Sequence, residues 1–417
     1  MSTDVLLVGY NGGDFDEYVA SMRATGVRQA AYRDVALAAM RLDGREMTAM
    51  DVLNAHAPRG GPALSNADFL WPVITYLGSY LQRAGFQWDY VNLFREQREL
   101  LEEKLRNDDV RCLVITTTVY VSPQPILEIL SLVRRLSPNT KVIVGGPYLA
   151  DKPKTMPQDE LAGLLDMLGA DVYVFSSEGE ATLVRVLDVL CRDQGSLADV
   201  PNIAYRAESW EFTAAETESN SLVDYPVDYS LFRGEDIGEF LSIRTAKSCP
   251  FNCAFCGFPG RAGKYTYLDV DLVEQELDRI TALGPVSTLT IIDDTFNVPK
   301  PRFKEILRMM IRKGYGLKWN SYLRSDHVDD EALDLMRESG CEGVFLGVES
   351  GSARQLKNMN KTSRPEDYLH AISRCRELGI VTYASLIVGF PGETEETLAE
   401  TLAFLDEAKP DFYRAQC

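Results

Sequence analysis

The stretch Ser248-Cys249-Pro250-Phe251-Asn252-Cys253-Ala254-Phe255-Cys256-Gly257 gathers three of the chain's eight cysteines into eight residues, with three and then two residues between them. Thiolates so spaced can hold three irons of a [4Fe–4S] cluster, and with no fourth cysteine nearby one iron stays open to a ligand. A structural zinc site needs four ligands, and the three histidines, His56, His327 and His370, lie far away in sequence. Asn252, Ala254 and Gly257 are not the neighbours of a packed core thiol. The remaining cysteines, Cys112, Cys191, Cys341, Cys375 and Cys417, lie among apolar residues and read as buried packing groups. In a chain of this length they are not a disulfide framework.

Outward from this loop, strand and helix patterns alternate. Downstream, apolar strands are predicted at Leu241–Arg244, Thr288–Asp293, Lys318–Arg324, Gly343–Val348, Val381–Val388 and Asp411–Ala415. Amphipathic helices are predicted at Val270–Leu283, Lys304–Lys313, Glu331–Ser339, Arg364–Leu378 and Thr394–Ala408. Six strand–helix beats, the last unfinished, predict a partial (β/α)6 barrel with its site at the carboxyl ends of the strands. The cysteine loop follows the first of those strands. Upstream, strands at Val5–Gly9, Arg111–Thr118, Lys141–Pro147 and Asp171–Phe175 alternate with helices at Val73–Ala84, Pro125–Leu136 and Ala181–Cys191. That pattern predicts a doubly wound parallel sheet. Its ligand loops would be Gly9-Tyr10-Asn11, Thr116–Tyr120, Gly145-Gly146-Pro147 and Ser176–Glu180, all small, polar or glycine-rich. Residues 30–42 read equally as a helix or, through Asp43-Gly44, as a hairpin. The fold class is therefore α/β, with one domain over 1–200, a hairpin and polar linker over 201–235, and a second domain over 236–417 that ends at the sixth strand.

The 417 residues are 45% hydrophobic and 25% charged, with a formal net charge of −19, which is globular composition and sets aside disorder and fibrous folds. The negative balance argues against nucleic acid as the main partner. No apolar run approaches the ~20 residues of a membrane span, and the start lacks a basic segment, so a soluble, cytoplasmic protein is expected.

Cys249-x3-Cys253-Ala-Phe255-Cys256 resembles the signature of the radical S-adenosylmethionine (SAM) superfamily, with Phe255 in its aromatic slot. The resemblance implies that Cys249, Cys253 and Cys256 bind the cluster, that SAM chelates the open iron, and that reduction cleaves SAM to a 5′-deoxyadenosyl radical. It implies a low-potential electron donor such as a flavodoxin or ferredoxin. Four further features fall at successive strand ends. Asp293-Asp294 stands where the family contacts the SAM amino group, in place of Gly-Gly-Glu, and Asp294 is assigned there. Arg324 is assigned to the SAM carboxylate, Glu349 to the ribose hydroxyls, and Gly389, in Ser385–Glu393, to the adenine side, with serine for the first glycine and the glutamate displaced by one.

The first half resembles the cobalamin-binding domain of class B radical SAM enzymes, through its strand-end loops and Trp71–Leu81. The resemblance implies that Tyr10, Asn11, Thr117, Thr118, Val119, Tyr120, Gly145, Gly146, Ser176, Glu178 and Gly179 line cobalamin. Asp-x-His-x-x-Gly is absent and Asn54-Ala-His56-Ala-Pro is a poor match, so cobalt is expected without a protein imidazole. Such enzymes load a methyl group from one SAM onto cobalamin and use a second SAM as radical source. Within the class the likeness is to the P-methylases of phosphinate antibiotic biosynthesis, through Val8-Gly-Tyr-Asn11, Arg244–Pro250, Cys256–Pro259, Ala262–Tyr265 and Asp293–Pro299. The methylated atom is thus a phosphinate phosphorus or an unactivated carbon of a natural-product or peptide substrate. Oxidative cyclases share the cobalamin domain without methylating, and stay open as an alternative. Methylthiotransferases hold a second cluster on three N-terminal cysteines, and only Cys112 and Cys191 precede residue 249. Relatives continue beyond the sixth strand, so a partner or dimer closing the barrel is expected, or else a truncated cofactor-binding remnant without turnover.

Overall fold

Val5, Leu6, Leu7 and Val8 are all fully buried. Four consecutive apolar side chains can be buried only on a strand covered on both faces, which is the position of a central parallel strand. The computed structural model of the protein describes residues 2–13, 15–24, 26, 40–56, 69–120, 122–176, 178–218 and 220–416. It divides into two units at 218/219.

In the first unit the strands are β1 (Ser2–Tyr10), β2 (Met40–Leu42), β3 (Arg45–Met47), β4 (Trp88–Leu93), β5 (Asp109–Thr116), β6 (Lys141–Gly145), β7 (Val172–Val174), β8 (Ile203–Arg206) and β9 (Trp210–Phe212). Seven of them form one sheet in the order β4-β1-β5-β6-β7-β8-β9. Its first five strands are parallel and its last two antiparallel. The parallel part has the doubly wound order that reverses direction at β1/β5, where ligands bind beyond the strand ends. Strand β4 was not predicted, because Asp89 and Asn92 interrupt its apolar run at the sheet edge. The predicted hairpin forms as β8–β9, and it extends the first unit's sheet, so the division falls inside the segment expected to be hairpin and linker. The Asp43-Gly44 signal is also realised: both residues have positive φ (50° and 81°) and join β2 to β3 as a two-residue turn. Residues 30–39 of the ambiguous segment lie outside the described residues, as do Ser177 and Cys417.

The second unit holds β10 (Phe240–Ile243), a small antiparallel pair β11 (Ala246–Lys247) and β12 (Thr266–Tyr267), then β13 (Thr288–Ile291), β14 (Lys318–Leu323), β15 (Cys341–Glu349), β16 (Val381–Ile387) and β17 (Phe412–Gln416). The six strands other than β11 and β12 form a wholly parallel sheet in strict sequential order. Right-handed crossovers in one direction put every connecting helix on the same face. The alternation of β14 shows which side that is, since Trp319, Ser321 and Leu323 are buried and Tyr322 is exposed. The helix Lys300–Lys313 answers with Phe303, Ile306, Leu307 and Met310, the stripe expected of a helix lying on a sheet. Among the described residues no helix is long and apolar enough to cross a membrane.

Candidate active site

The cysteine loop leaves β10 and is pinned by chain remote from it in sequence. Ser248 holds a left-handed φ of 66° and donates its hydroxyl to the Gly263 carbonyl at 2.8 Å. The Ala254 N–H donates to the Met359 carbonyl at 2.9 Å, and Asn360 Nδ2 donates to the Asn252 carbonyl at 2.6 Å. Cys249 and Cys253 are half-buried, Cys256 is exposed, and all three are free thiols. Burial pushes the Cys249 thiol up. Among the described residues no three His, Cys, Asp or Glu side chains converge on a point that could hold a single metal ion; a cluster spreads its ligands over separate irons. His327, distant in sequence, comes edge-on to Phe251 with ring centroids 5.2 Å apart. Phe255 meets Phe390 in the same way at 6.5 Å, bringing the aromatic slot to the Gly389 turn.

Arg324, at the end of β14, is only 8% exposed. Its guanidinium stacks on Phe251 at 3.7 Å, and Nη1 stands 4.0 Å from Cys253 Sγ. Its Nε and Nη2 donate to the two Asp326 oxygens at 3.0 and 2.8 Å, and Nη2 also reaches Thr362 Oγ1 at 2.8 Å. Burial opposes ionisation of Asp326, but hydrogen bonds from Arg324 and Thr362 hold its carboxyl well below the usual range. The Nε and Nη2 edge of Arg324, the residue assigned to the SAM carboxylate, thus faces Asp326 already, and the atom that reaches Cys253 is Nη1.

The two adjacent aspartates differ completely. Asp293 is buried and accepts from the Thr245 N–H, Thr245 Oγ1 and the Ala246 N–H at 2.6, 2.5 and 2.9 Å. It clamps the chain just before the cysteine loop. Arg302 reaches the same threonine, donating to Thr245 O and Oγ1. Asp294, the residue assigned to the SAM amino group, is open to solvent. Partial removal from water pushes its carboxyl up to about 6, with Arg244 pulling it down and Asp293 adding to the rise.

Glu349 ends β15 at a register irregularity, with φ 62° and 8% exposure. A glutamate in the left-handed region is an outlier of the kind that marks functional sites. Lys361 Nζ lies 3.3 Å from its Oε1 and also donates to the Gly347 carbonyl. Burial raises the Glu349 carboxyl, and Lys361 and then Arg324 pull it back. A Cβ on Gly347 would stand 2.6 Å from Glu349 Oε1, so only glycine leaves that carboxylate its place. Gly389 has φ 85°, and its N–H donates to Glu393, so the displaced glutamate closes this turn. Asp326, Asn360, Lys361 and Thr362 carried no recognisable spacing and were missed by sequence reasoning.

In the first unit the expected ligand loops after β1, β5 and β6 meet at the β1/β5 reversal. Tyr120 Oη accepts from the Asn11 N–H at 3.0 Å, and Asn11 Nδ2 donates to Pro125 O at 3.1 Å and Glu128 Oε2 at 3.0 Å. Thr117 Oγ1 donates to the Gly145 carbonyl at 2.9 Å, and a Cβ on Gly146 (φ 114°) would stand 2.8 Å from that hydroxyl. Asn11, Thr117 and Tyr120 are therefore buried and shape the loops. Thr118, Gly145, Gly146, Ser176, Glu178 and Gly179 are half-buried, and Ser176 Oγ accepts from the Gly179 N–H at 3.2 Å. Val119 is 59% exposed at φ 65°, a strained position for a β-branched residue. Tyr10 stacks on Trp71 at 4.4 Å, and Trp71 on Phe69 at 4.9 Å. Cys112 and Cys191 are packed together in this unit, their sulfurs 3.6 Å apart.

Residues 243–405 match the radical SAM superfamily. The second unit is a radical SAM domain. Such a domain implies a [4Fe–4S] cluster and SAM, and the donor set fits them: three free thiols on one pinned loop, a guanidinium beside Cys253, and carboxyl groups at the ends of β13 and β15. The whole chain shares its fold with a radical SAM methyltransferase, TsrM of Kitasatospora setae, solved with cobalamin and a [4Fe–4S] cluster bound. The TM-score is 0.67 at 20% identity, covering 100% of this chain and 75% of that one. An uncharacterized methyltransferase of Pyrococcus horikoshii is 25% identical over 314 residues, 73% of this chain and 65% of the relative. The anaerobic magnesium-protoporphyrin IX monomethyl ester cyclase of Rubrivivax gelatinosus is 26% identical over 364 residues, 82% of this chain and 63% of the relative. The chain thus spans just under two thirds of the length of these two relatives.

Proposed function

We propose that the chain is a cobalamin-dependent radical SAM methyltransferase, acting on an unactivated carbon or a phosphinate phosphorus of a natural-product or peptide substrate. The observation that carries the reading is the two-unit fold shared with TsrM over the whole chain. When bound, the cluster and SAM supply a 5′-deoxyadenosyl radical on reduction, and cobalamin supplies a methyl carrier. The chain's own residues do the positioning. Cys249, Cys253 and Cys256 would ligate the cluster, with Arg324 setting a fixed positive charge beside the Cys253 thiolate. Asp294 would accept from the SAM ammonium, Glu349 from the ribose hydroxyls, and the Gly389 turn would flank the adenine. Loops at the β1/β5 reversal would receive the corrin ring, with the exposed Val119 against its face. His56 is exposed and its Nδ1 rests 2.8 Å from the Val52 carbonyl within its own helix.

The test is anaerobic reconstitution with cobalamin, a low-potential reductant and methyl-labelled SAM, followed by a mass search for a compound gaining one labelled methyl. Deoxyadenosine released together with a methylated product supports the reading, and His56→Ala is expected to leave the cobalt spectra unchanged. Deoxyadenosine with an oxidised, unmethylated product would favour the cyclase reading, which the Rubrivivax gelatinosus relative supports. No SAM cleavage at all would leave a cofactor-binding remnant.

A pH dependence follows from Asp294. Accepting from an ammonium requires the carboxylate, and partial removal from water pushes this carboxyl up to about 6. SAM affinity of the unreduced protein is expected to be constant well above that pH and to fall about tenfold per unit below it. Asp294→Asn should lower the plateau and flatten the profile. A profile unchanged in Asp294→Asn would remove this residue from the site.

A further inference from the structure

The sheet face turned away from the helices carries a row of aromatic rings. The register of the parallel sheet aligns Tyr322 with Phe345, Phe345 with Tyr383, and Tyr383 with Phe412. Ring centroids are 5.2 Å apart between Tyr322 and Phe345, and 5.4 Å between Phe345 and Tyr383. Tyr322 is 47% exposed, Phe345 36% and Phe412 55%, whereas Leu323, Leu346 and Ala384, their neighbours pointing to the helix side, are buried. These rings are not part of the core. Contiguous exposed aromatic surface on the inside of a partial barrel is a binding surface, because such rings offer a large, flat contact area with little rotamer entropy to lose.

The row also has a charge gradient. Arg414 lies on β17, two residues beyond Phe412 and therefore on the same face of the sheet, aligned with Ser385. Burial pushes the Tyr322 hydroxyl up, Asp294 adds to the rise and Arg414 pulls it back, so both charges act on the row. On the reading above, the SAM ammonium neutralises Asp294. Arg414 then remains as a positive charge on the same face as the row.

We propose that Tyr322, Phe345 and Tyr383 form the floor on which the substrate lies, and that this floor selects a planar aromatic or conjugated compound bearing an anionic group directed at Arg414. The inference rests on the assignment of the adjoining strand ends to SAM. It commits to a small molecule because the charge lies beside the rings, as an anion-bearing planar ligand requires.

The test uses the full chain with its cluster reconstituted, unreduced, at saturating SAM, and three probes titrated by saturation-transfer NMR and equilibrium dialysis: indole-3-acetate, tryptamine and cyclohexylacetate. Indole-3-acetate is expected to bind about tenfold more tightly than either of the others. Tyr322→Leu and Phe345→Leu should each weaken it about fivefold while SAM affinity changes less than about twofold. Tyr322→Phe, which keeps the ring, should retain binding, and Arg414→Gln should erase the preference over tryptamine. Equal binding of the three probes, or no binding of any of them because a protein segment covers the row, would overturn the proposal. Failure of the wild-type protein to bind SAM would instead overturn the underlying functional reading, so the two failures are distinguishable.

Discussion

Anaerobically reconstituted Cys253→Ala protein will hold no [4Fe–4S] cluster and cleave no SAM. On the proposed assignment the cluster takes three thiolates from this loop and leaves one iron free for SAM. Among the described residues no other cysteine is placed to substitute. Cys341 and Cys375 are fully buried in the second unit, and Cys112 and Cys191 are buried together in the first. Moving one of them to the surface would expose a core position, and the anchors at Ser248, Ala254 and Asn252 leave the loop little freedom to search for a replacement. Iron and acid-labile sulfide analysis with the cluster absorption band checks this, and Cys341→Ala, expected to load normally, is the control. A full cluster in the Cys249/Cys253/Cys256→Ala triple variant would be fatal to the assignment.

Asp293→Ala should destabilise the second unit by about 3–5 kcal/mol, the range for removing one member of a buried charged network. The substitution strips an acceptor from two backbone N–H groups and from Thr245 Oγ1, all in the segment that launches the cysteine loop. It also leaves Arg302, buried and bonded to that same threonine, without the stronger of the two carboxylate charges acting on it, Asp269 being the other. Asp293→Asn keeps an oxygen for the backbone donors and should lose roughly half as much. Calorimetric unfolding of the cluster-free protein is the measurement, and a loss under about 1 kcal/mol would show that the network is dispensable.

The two aspartates mark the boundary between what is local and what is not. Asp293-Asp294 reads in sequence as one acidic pair at a strand end, whereas the fold buries Asp293 and leaves Asp294 exposed. That Asp293 is the clamp of the cysteine loop depends on Thr245, 48 residues earlier. Arg324 and Glu349 were likewise recognisable as strand-end charges, while their partners Asp326, Thr362 and Lys361 were not.

The cysteine triad, the strand–helix alternation and the six beats of the second unit were written locally, because loop ligand spacing and side-chain period depend on neighbours a few residues away. Edge strand β4, the attachment of the β8–β9 hairpin to the first sheet, the partners of Arg324 and Glu349, and the aromatic row across β14, β15 and β16 were decided by tertiary structure alone. Each joins residues from different strands or loops, and the energy that selects such a pairing, burial and a satisfied hydrogen bond, exists only once the chain has folded.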